Sequence, residues 1–255
     1  MKKVLRDLLV DGVEFPNPSH LLLHLVSAEA LPPIQPGQFV EVQCEGTDKA
    51  FLRRPISIHF VEPATRTIGL LIHIVGKGTQ ALARLQKGDR LNCLFPLGKG
   101  FSVPSGGKRC LLVGGGVGSA PLLQLGRELI SQGNEVTFLL GGKTESDLLR
   151  LEAFEQVGRL CVTTEDGSRG TTGFVTNHAV ILEDFDLIQT CGPRPMMQAV
   201  SRLAQERGIV CEASLENLMA CGLGACLCCV ERTKKGHLCV CTDGPVFDTR
   251  ELLWN

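Results

Sequence analysis

Residues 110–122 read Cys-Leu-Leu-Val-Gly-Gly-Gly-Val-Gly-Ser-Ala-Pro-Leu. Four apolar residues with no polar break, 110–113, have the composition of a short strand buried on both faces. A glycine run ends it, and 122–130 then repeats apolar residues at helical spacing. Strand, glycine turn and helix in that order open a parallel βαβ unit. In that setting Gly114, Gly115, Gly116 and Gly118 let a pyrophosphate approach the amides at the start of the helix. The spacing departs from G-x-G-x-x-G: counted from Gly114 the third glycine is Ser119, and counted from Gly116 it is Pro121. No Gly-Lys-Ser/Thr follows, so this is not a P-loop. The same glycines would also serve a plain tight turn.

Downstream the alternation continues. Strand-like runs at 135–140, 160–164, 187–190 and 210–213 alternate with helical patterns at 146–156 and 195–207, while 173–180 fits neither period. This is the signature of a parallel α/β sheet. Thr190-Cys191-Gly192-Pro193-Arg194-Pro195 is a second strand-to-helix turn. Such turns sit at the carboxyl ends of strands, where open sheets bind ligands, so Cys191, Gly192 and Pro193 are candidate cofactor contacts. No histidine lies near Cys191 in sequence to activate it, which favours packing or a nicotinamide contact over nucleophilic chemistry. Glu165-Asp166-Gly167 ends another strand and either touches a cofactor ribose or makes a turn. Lys143, after Gly141-Gly142, would tolerate a ribose 2′-phosphate, so the choice between NADH and NADPH stays open.

Upstream, the first hundred residues look all-β. Apolar runs at 21–26, 38–42, 55–60, 68–75 and 89–95 are separated by the turn clusters PNPS, LPPIQPGQ, EGTDK, EPATRT and LQKGDR. Strands at this spacing suggest a small antiparallel barrel or sandwich. One helical stretch, 79–85, follows Gly76-Lys77-Gly78, and the Gly/Pro/Ser-rich segment 96–109 reads as a linker. Arg53-Arg54-Pro55-Ile56-Ser57 opens a strand. On an extended segment Arg54 can reach a pyrophosphate over the strand edge while Ser57 donates to an isoalloxazine ring. Gly78-Thr79, read as a helix start with an N-capping threonine, is a second phosphate-suited feature. The alternatives are a solvated arginine pair and an ordinary helix start.

The tail, 214–255, has little periodicity and too few apolar residues for its own core, so a metal or cluster must help fold it. Seven of the 12 cysteines fall in the last 45 residues. Cys221, Cys226 and Cys229 are spaced C-x4-C-x2-C, and Cys241 follows after eleven residues. Plant-type [2Fe–2S] ligation has that spacing with a fourth cysteine downstream. Gly222 and Gly224 permit the backbone angles of a chain wrapped round a cluster. A zinc site pairing Cys226/Cys229 with Cys239/Cys241 suits the single-residue gap poorly. Reduced cysteines without metal are the remaining reading. Cys228 and Cys239 are surplus and expected to point away, although a swap of Cys239 for Cys241 is compatible with the spacing.

Composition sets the outer limits. Lys and Arg total 26 against 27 Asp and Glu, a net charge of −1, which excludes nucleic acid as a main partner. Hydrophobic residues at 44% and charged residues at 21% exclude wholesale disorder. Arg6 and Asp7 break the opening as a signal peptide, and no apolar run approaches the ~20 residues that span a bilayer. A cytoplasmic location with no membrane contact is expected, and clustered cysteines there are metal ligands rather than disulfides.

The order of flavin barrel, nucleotide domain and cysteine tail resembles the ferredoxin–NADP reductase superfamily. RRPIS at 53–57, GGGVGSAPL at 114–122, CGPRPMM at 191–197, LENLMACGLGAC at 215–226 and VCTDGPVF at 240–247 together resemble the electron-transfer subunits of NAD-linked, type B dihydroorotate dehydrogenases. The resemblance implies an N-terminal antiparallel FAD-binding barrel over 1–103, a parallel α/β NAD-binding domain over 104–210 and a [2Fe–2S] tail over 211–255. It implies flavin contacts at Arg54, Pro55, Ile56 and Ser57, at Leu71, Ile72 and His73, and at Gly78 and Thr79. Its cluster ligands fall on Cys221, Cys226, Cys229 and Cys241. Many superfamily members carry a tyrosine where Ile56 stands, and this chain has no tyrosine. The implied activity is electron transfer between NAD(H), FAD and the cluster, coupled to dihydroorotate oxidation by an FMN-containing catalytic partner in a heterotetramer of two copies of each chain. The cofactors carry that chemistry, which accounts for the lack of an acid/base pair or triad. The small subunit of a bifurcating NADH–ferredoxin–NADP oxidoreductase or sulfide dehydrogenase shares the architecture, but carries an acidic residue where Cys221 stands. A non-enzymatic iron–sulfur redox sensor is the alternative of another class.

Overall fold

Six strands of the N-terminal region close into an antiparallel barrel. They are β1 (Val4–Asn17), β2 (His20–Val26), β3 (Phe39–Val42), β4 (Arg54–Glu62), β5 (Thr67–His73) and β6 (Arg90–Leu97), in the order β1-β2-β5-β4-β3-β6. The computed structural model describes residues 2–45 and 50–254, so most of the expected EGTDK turn lies outside the described residues. Leu21, Leu23, Leu25, Ile58, Ile68, Leu70 and Phe95 fill the barrel. Strand β1 is an element that the hydrophobic runs did not reveal. Its Leu8 and Val10 are buried while Asp7, Asp11 and Glu14 lie on the other face, so charge breaks the run without breaking the strand.

The second half forms a seven-stranded sheet. Its strands are β7 (Arg109–Gly115), β8 (Glu135–Gly142), β9 (Arg159–Thr164), β10 (Thr171–Thr172), β11 (Leu187–Cys191), β12 (Val210–Ser214) and, from the tail, the antiparallel β15 (Val246–Asp248). The order is β10-β9-β8-β7-β11-β12-β15. The chain leaves β7 toward β8 and later returns on its other side as β11, so the topological switch lies between β7 and β11, where such sheets open a crevice. Helices α2 (Ala120–Ser131) and α4 (Arg194–Glu206) follow β7 and β11. The helix expected over 146–156 shrinks to α3 (Leu151–Glu155). The Asp147 carboxylate accepts the Lys143 and Thr144 amides, holding the chain in a turn, and Arg150 then takes a left-handed φ of 59°. The undecided 173–180 segment becomes two 3₁₀ turns, Val175–Asn177 and Ala179–Leu182.

The tail adds a hairpin of β13 (Val230–Thr233) and β14 (Gly236–Cys239). Its core is shared: Cys229, Val240, Cys241, Phe247 and Leu252 pack with Phe39 and Leu97 of the barrel and with Ala213 of the sheet. An expected boundary at 210/211 therefore cuts through β12. Barrel and sheet meet on Leu22, Phe60, Leu71, Ala120 and Leu149. In this seam His59 is fully buried, and its Nδ1 lies 2.7 Å from the Ala120 carbonyl. Among the described residues no helix is long and apolar enough to cross a membrane.

Candidate redox site

The cysteine loop 221–229 wraps around itself because three of its residues take left-handed backbone angles: Gly222 (φ 65°), Gly224 (φ 81°) and Leu227 (φ 58°). That curvature turns amides toward sulfur. The Leu223 amide donates to Cys221 Sγ at 3.4 Å, the Gly224 amide to Cys241 Sγ at 3.2 Å and the Cys241 amide to Cys229 Sγ at 3.4 Å. The thiols lie as two pairs, Cys221 with Cys226 and Cys229 with Cys241. Among the described residues no three His, Cys, Asp or Glu side chains converge closely enough for a single metal ion. Burial opposes ionisation of Cys221, but the Leu223, Cys226 and Ala225 amides and the Cys226 thiol outweigh it and bring the thiol down to about 6. Burial and the neighbouring Cys229 sulfur push Cys241 up to about 12. Two pairs joined by an amide bridge suit two irons with two thiolates each.

Cys228 is exposed, and so is Cys226. Cys239 does not turn away: it is half-buried within hydrogen-bonding reach of Cys229, and burial with that sulfur raises its pKa. Its amide donates to Asp243 Oδ2 at 2.8 Å, which pins it at the end of β14.

The RRPIS segment lies on β4, beside β3. Arg53 is consumed by the barrel, donating to the Glu41 and Asn92 carbonyls and to Asn92 Oδ1. Arg54 donates to the Leu52 and Arg53 carbonyls, and among the described residues no carboxylate pairs with it. Its side chain lies against Gly78, where a Cβ would come within 2.9 Å of Nε. A guanidinium without a carboxylate partner, packed against Gly78, suits a pyrophosphate, while Pro55, Ile56 and Ser57 remain partly open. Thr79 corrects the reading of it as an N-cap. Helix α1 (Lys77–Leu82) is capped at Gly76, and the Thr79 hydroxyl accepts the Val75 and Gly76 amides, so it shapes the turn from within. Of the second stretch, Leu71 and Ile72 are buried, and the exposed His73 stacks on His20 at 4.6 Å between centroids.

A crevice of about 750 Å³ runs from that histidine pair across the carboxyl ends of β7, β8 and β9. Gly115, Gly116, Gly118, Gly192 and Pro193 line it. Gly114 and Cys191 stand behind this wall. A Cβ on Gly114 would meet Leu122 and Leu140, and Cys191 is fully buried. Burial pushes the Cys191 thiol well above its usual range, which excludes a thiolate nucleophile.

Three acids escaped the sequence reading. Glu216 lines the crevice with Oε1 4.0 Å from Cys191 Sγ. Although the residue is exposed as a whole, its carboxyl tip is desolvated there and its pKa raised. Glu231 is buried, taking Arg194 at 2.8 Å and Asn217 at 2.9 Å, and so ties the 190–195 turn to the cysteine loop. Glu41, on β3, is fully buried with neither carboxylate oxygen partnered, and burial pushes it up to about 7. A Cβ on Gly222 would come 2.8 Å from Glu41 Cγ, so the cysteine loop rests on β3. The one available signal for Glu41 was an acid inside the apolar run FVEV.

Residues 216–253 match the iron–sulfur cluster binding domain of dihydroorotate dehydrogenase B, and 112–202 match the oxidoreductase NAD-binding domain. The chain is 40% identical over 228 residues to the dihydroorotate dehydrogenase B (NAD(+)) electron transfer subunit of Shouchella clausii, covering 86% of both chains. It is 42% identical over 224 residues to that of Caldanaerobacter subterraneus, covering 86% of this chain and 87% of the relative. Among solved structures, an NADH-dependent reduced ferredoxin–NADP oxidoreductase superposes with a TM-score of 0.87 at 28% identity, over 97% of this chain and 90% of the other.

Proposed function

This chain belongs to the electron transfer subunits of NAD(+)-linked dihydroorotate dehydrogenase B, and from that premise we propose how its residues divide the work. It is an oxidoreductase subunit that shuttles electrons between NAD(H), FAD and a [2Fe–2S] cluster, in step with dihydroorotate oxidation in pyrimidine biosynthesis. The observation that carries the assignment of sites is the seating of the cysteine loop on β3. Phe39 and Glu41 of β3 pair with Ser57 and Pro55 of β4, and the same two residues meet the tail, Glu41 at Gly222 and Phe39 in the cluster that holds Cys229 and Cys241. One strand thus links the proposed flavin contacts to the proposed cluster ligands.

When bound, FAD exchanges two electrons with nicotinamide and single electrons with the iron–sulfur centre. Cys221 and Cys226 would hold one iron, and Cys229 and Cys241 the other. Arg54, with the backbone at Gly78 and Thr79, would neutralise the FAD pyrophosphate, and Pro55, Ile56 and Ser57 would orient the ring. Gly115, Gly116, Gly118, Gly192 and Pro193 would take the dinucleotide of NAD(H), with Glu216 at its nicotinamide end and the neutral Cys191 thiol packed behind that wall. Leu218, Leu223, Leu227 and the Cys226 thiol are exposed together around the cysteine loop. An apolar rim about an electron exit suits a protein partner, which we take to be the FMN-containing catalytic subunit in a two-plus-two assembly. We take that assembly to be cytoplasmic, where clustered cysteines stay reduced for metal ligation.

The likeness to the NADH-dependent reduced ferredoxin–NADP oxidoreductase supports a second reading, as a subunit of a bifurcating enzyme. Cys221, standing where those subunits carry an acid, argues for the first. The test is an anaerobic NADH titration followed by absorbance and EPR, with iron and sulfide counts and recovery of the native partner. Flavin bleaching, a [2Fe–2S] signal and a dihydroorotate-oxidising partner are expected. A chain without flavin, or a large flavoprotein of another activity as partner, would overturn the reading.

A further inference from the structure

The turn after β11 and the cysteine loop meet at a single buried carboxylate. Gly192, Pro193, Pro195 and Met196 of that turn line the crevice. The Arg194 side chain between them reaches the tail instead, where Nη2 donates to Glu231 Oε1 at 2.8 Å. Glu231 lies on β13, two residues past Cys229. Its other oxygen, Oε2, accepts the Asn217 side-chain amide at 2.9 Å. Asn217 follows Glu216, which lines the crevice beside Cys191, and its amide nitrogen also lies 3.5 Å from the Cys229 carbonyl.

Among the described residues this is the one ion pair with a buried carboxylate side chain, 8% exposed. Surface pairs hold little, whereas losing one partner of a buried pair strands a charge, so this geometry is held firmly. Arg194 also sits over the Trp254 ring, 5.8 Å from its centroid, which limits where the guanidinium can go. Thr233, on the same strand, makes contacts of another kind. Its hydroxyl donates to the Gly236 carbonyl at 2.9 Å and accepts the Lys235 amide at 3.1 Å, which closes the hairpin.

We propose that Glu231 is a positioning residue for both redox sites: it fixes the crevice turn through Arg194 and the approach to Cys229 through Asn217, so that NAD(H) in the crevice is felt at the cluster. This rests on the assignment of crevice and cysteine loop made under the proposed function. A dinucleotide seated on Gly192, Pro193 and Pro195 bears on the backbone that carries Arg194. A carboxylate with one oxygen committed to each side cannot follow one partner without changing its distance to the other. A shift of the Arg194 turn therefore reaches Asn217 and the Cys229 carbonyl, and such outer contacts of a ligand tune the metal it holds. The coupling is reciprocal, so the oxidation state of the cluster biases the affinity for NAD(H) in turn.

The test is EPR of the full-length, cofactor-loaded chain, reduced with excess dithionite in the absence and presence of saturating NADH, so that flavin and cluster are fully reduced in both samples. In the wild type, NADH should change the g-values or line widths of the [2Fe–2S] signal. Glu231→Met keeps the length of the side chain and removes both acceptors. Its two spectra should coincide, and NADH should bind about two- to tenfold more weakly. Arg194→Gln, at a half-exposed position, should also erase the NADH-dependent change while keeping the wild-type spectrum without NADH. Thr233→Val should lower the melting temperature and keep the change. A wild-type spectrum indifferent to NADH would overturn the coupling, as would a change that survives in Glu231→Met or Arg194→Gln, or one that Thr233→Val also abolishes. A wild type that lacks a [2Fe–2S] signal or fails to bind NADH would instead overturn the assignment of sites beneath it.

Discussion

The nucleotide sheet and the cysteine tail reach their binding geometry by opposite routes. Leu111, Leu112, Val113 and Phe138 are fully buried under the crevice, so its glycine turns are held from behind by a packed core. The tail has no such backing. Its own sheet is a hairpin of two four-residue strands, its core residues pack on the barrel and the neighbouring sheet, and Leu218, Leu223 and Leu227 stay exposed. A crevice backed by a core exists before its ligand arrives. A loop whose inner surface is sulfur needs the metal to complete it.

Removing Cys241 should therefore have the largest effect. Cys241→Ser is expected to abolish the [2Fe–2S] absorbance and EPR signals and open the tail to protease, while the barrel and sheet still melt cooperatively. Cys239→Ser is the comparison, since Cys239 also reaches Cys229; with Cys241 as the ligand it should retain iron and sulfide. The opposite outcome would make Cys239 the fourth ligand.

One substitution made in both regions sharpens the contrast. Gly222→Ala puts a side chain on a residue with φ of 65° and 2.8 Å from Glu41 Cγ. Strain and clash together should cost about 2–3 kcal/mol, read as faster cluster loss on warming. Gly116→Ala also carries a positive φ, 53°, but a Cβ there meets nothing within 4 Å. It should cost only about 1 kcal/mol and act by crowding the dinucleotide, raising the KM for NADH.

The same contrast explains what was legible in advance. Periodicity found the sheet because its strands are buried on both faces and read as unbroken apolar runs, as in 110–113. It found the cluster loop because ligation fixes cysteine spacing. It missed β1, whose outward charges interrupt the run, and misjudged 146–156, where Asp147 draws backbone amides into a turn. It also missed Glu41, Glu216 and Glu231. Each acquires its role from a residue far away in sequence, such as Glu41 from Gly222, and no local pattern encodes such a meeting.

The seam between barrel and sheet supplies the smallest and most selective test. His59 is fully buried, its Nδ1–H donates to the Ala120 carbonyl at 2.7 Å, and Nε2 has no partner. A proton on Nε2 would leave a charged donor in a dry seam. Burial accordingly brings the pKa of His59 down to about 4 from 6.5. The folded chain thus resists protonation, whereas the unfolded chain accepts a proton near 6.5. The contribution to stability is complete above pH 6.5 and is lost as pH falls toward 4, up to about 3 kcal/mol. Thermal melts of the wild type should drop across that window, and His59→Leu should flatten the drop. Because His59 acts in the seam between barrel and sheet, where it holds the Ala120 carbonyl, the flattening should appear in protein unfolding and leave the pH dependence of cluster absorbance unmoved. A drop that persists in His59→Leu would assign the acid sensitivity to other groups, and one that tracks the cluster signal would mean that seam and tail unfold as one unit.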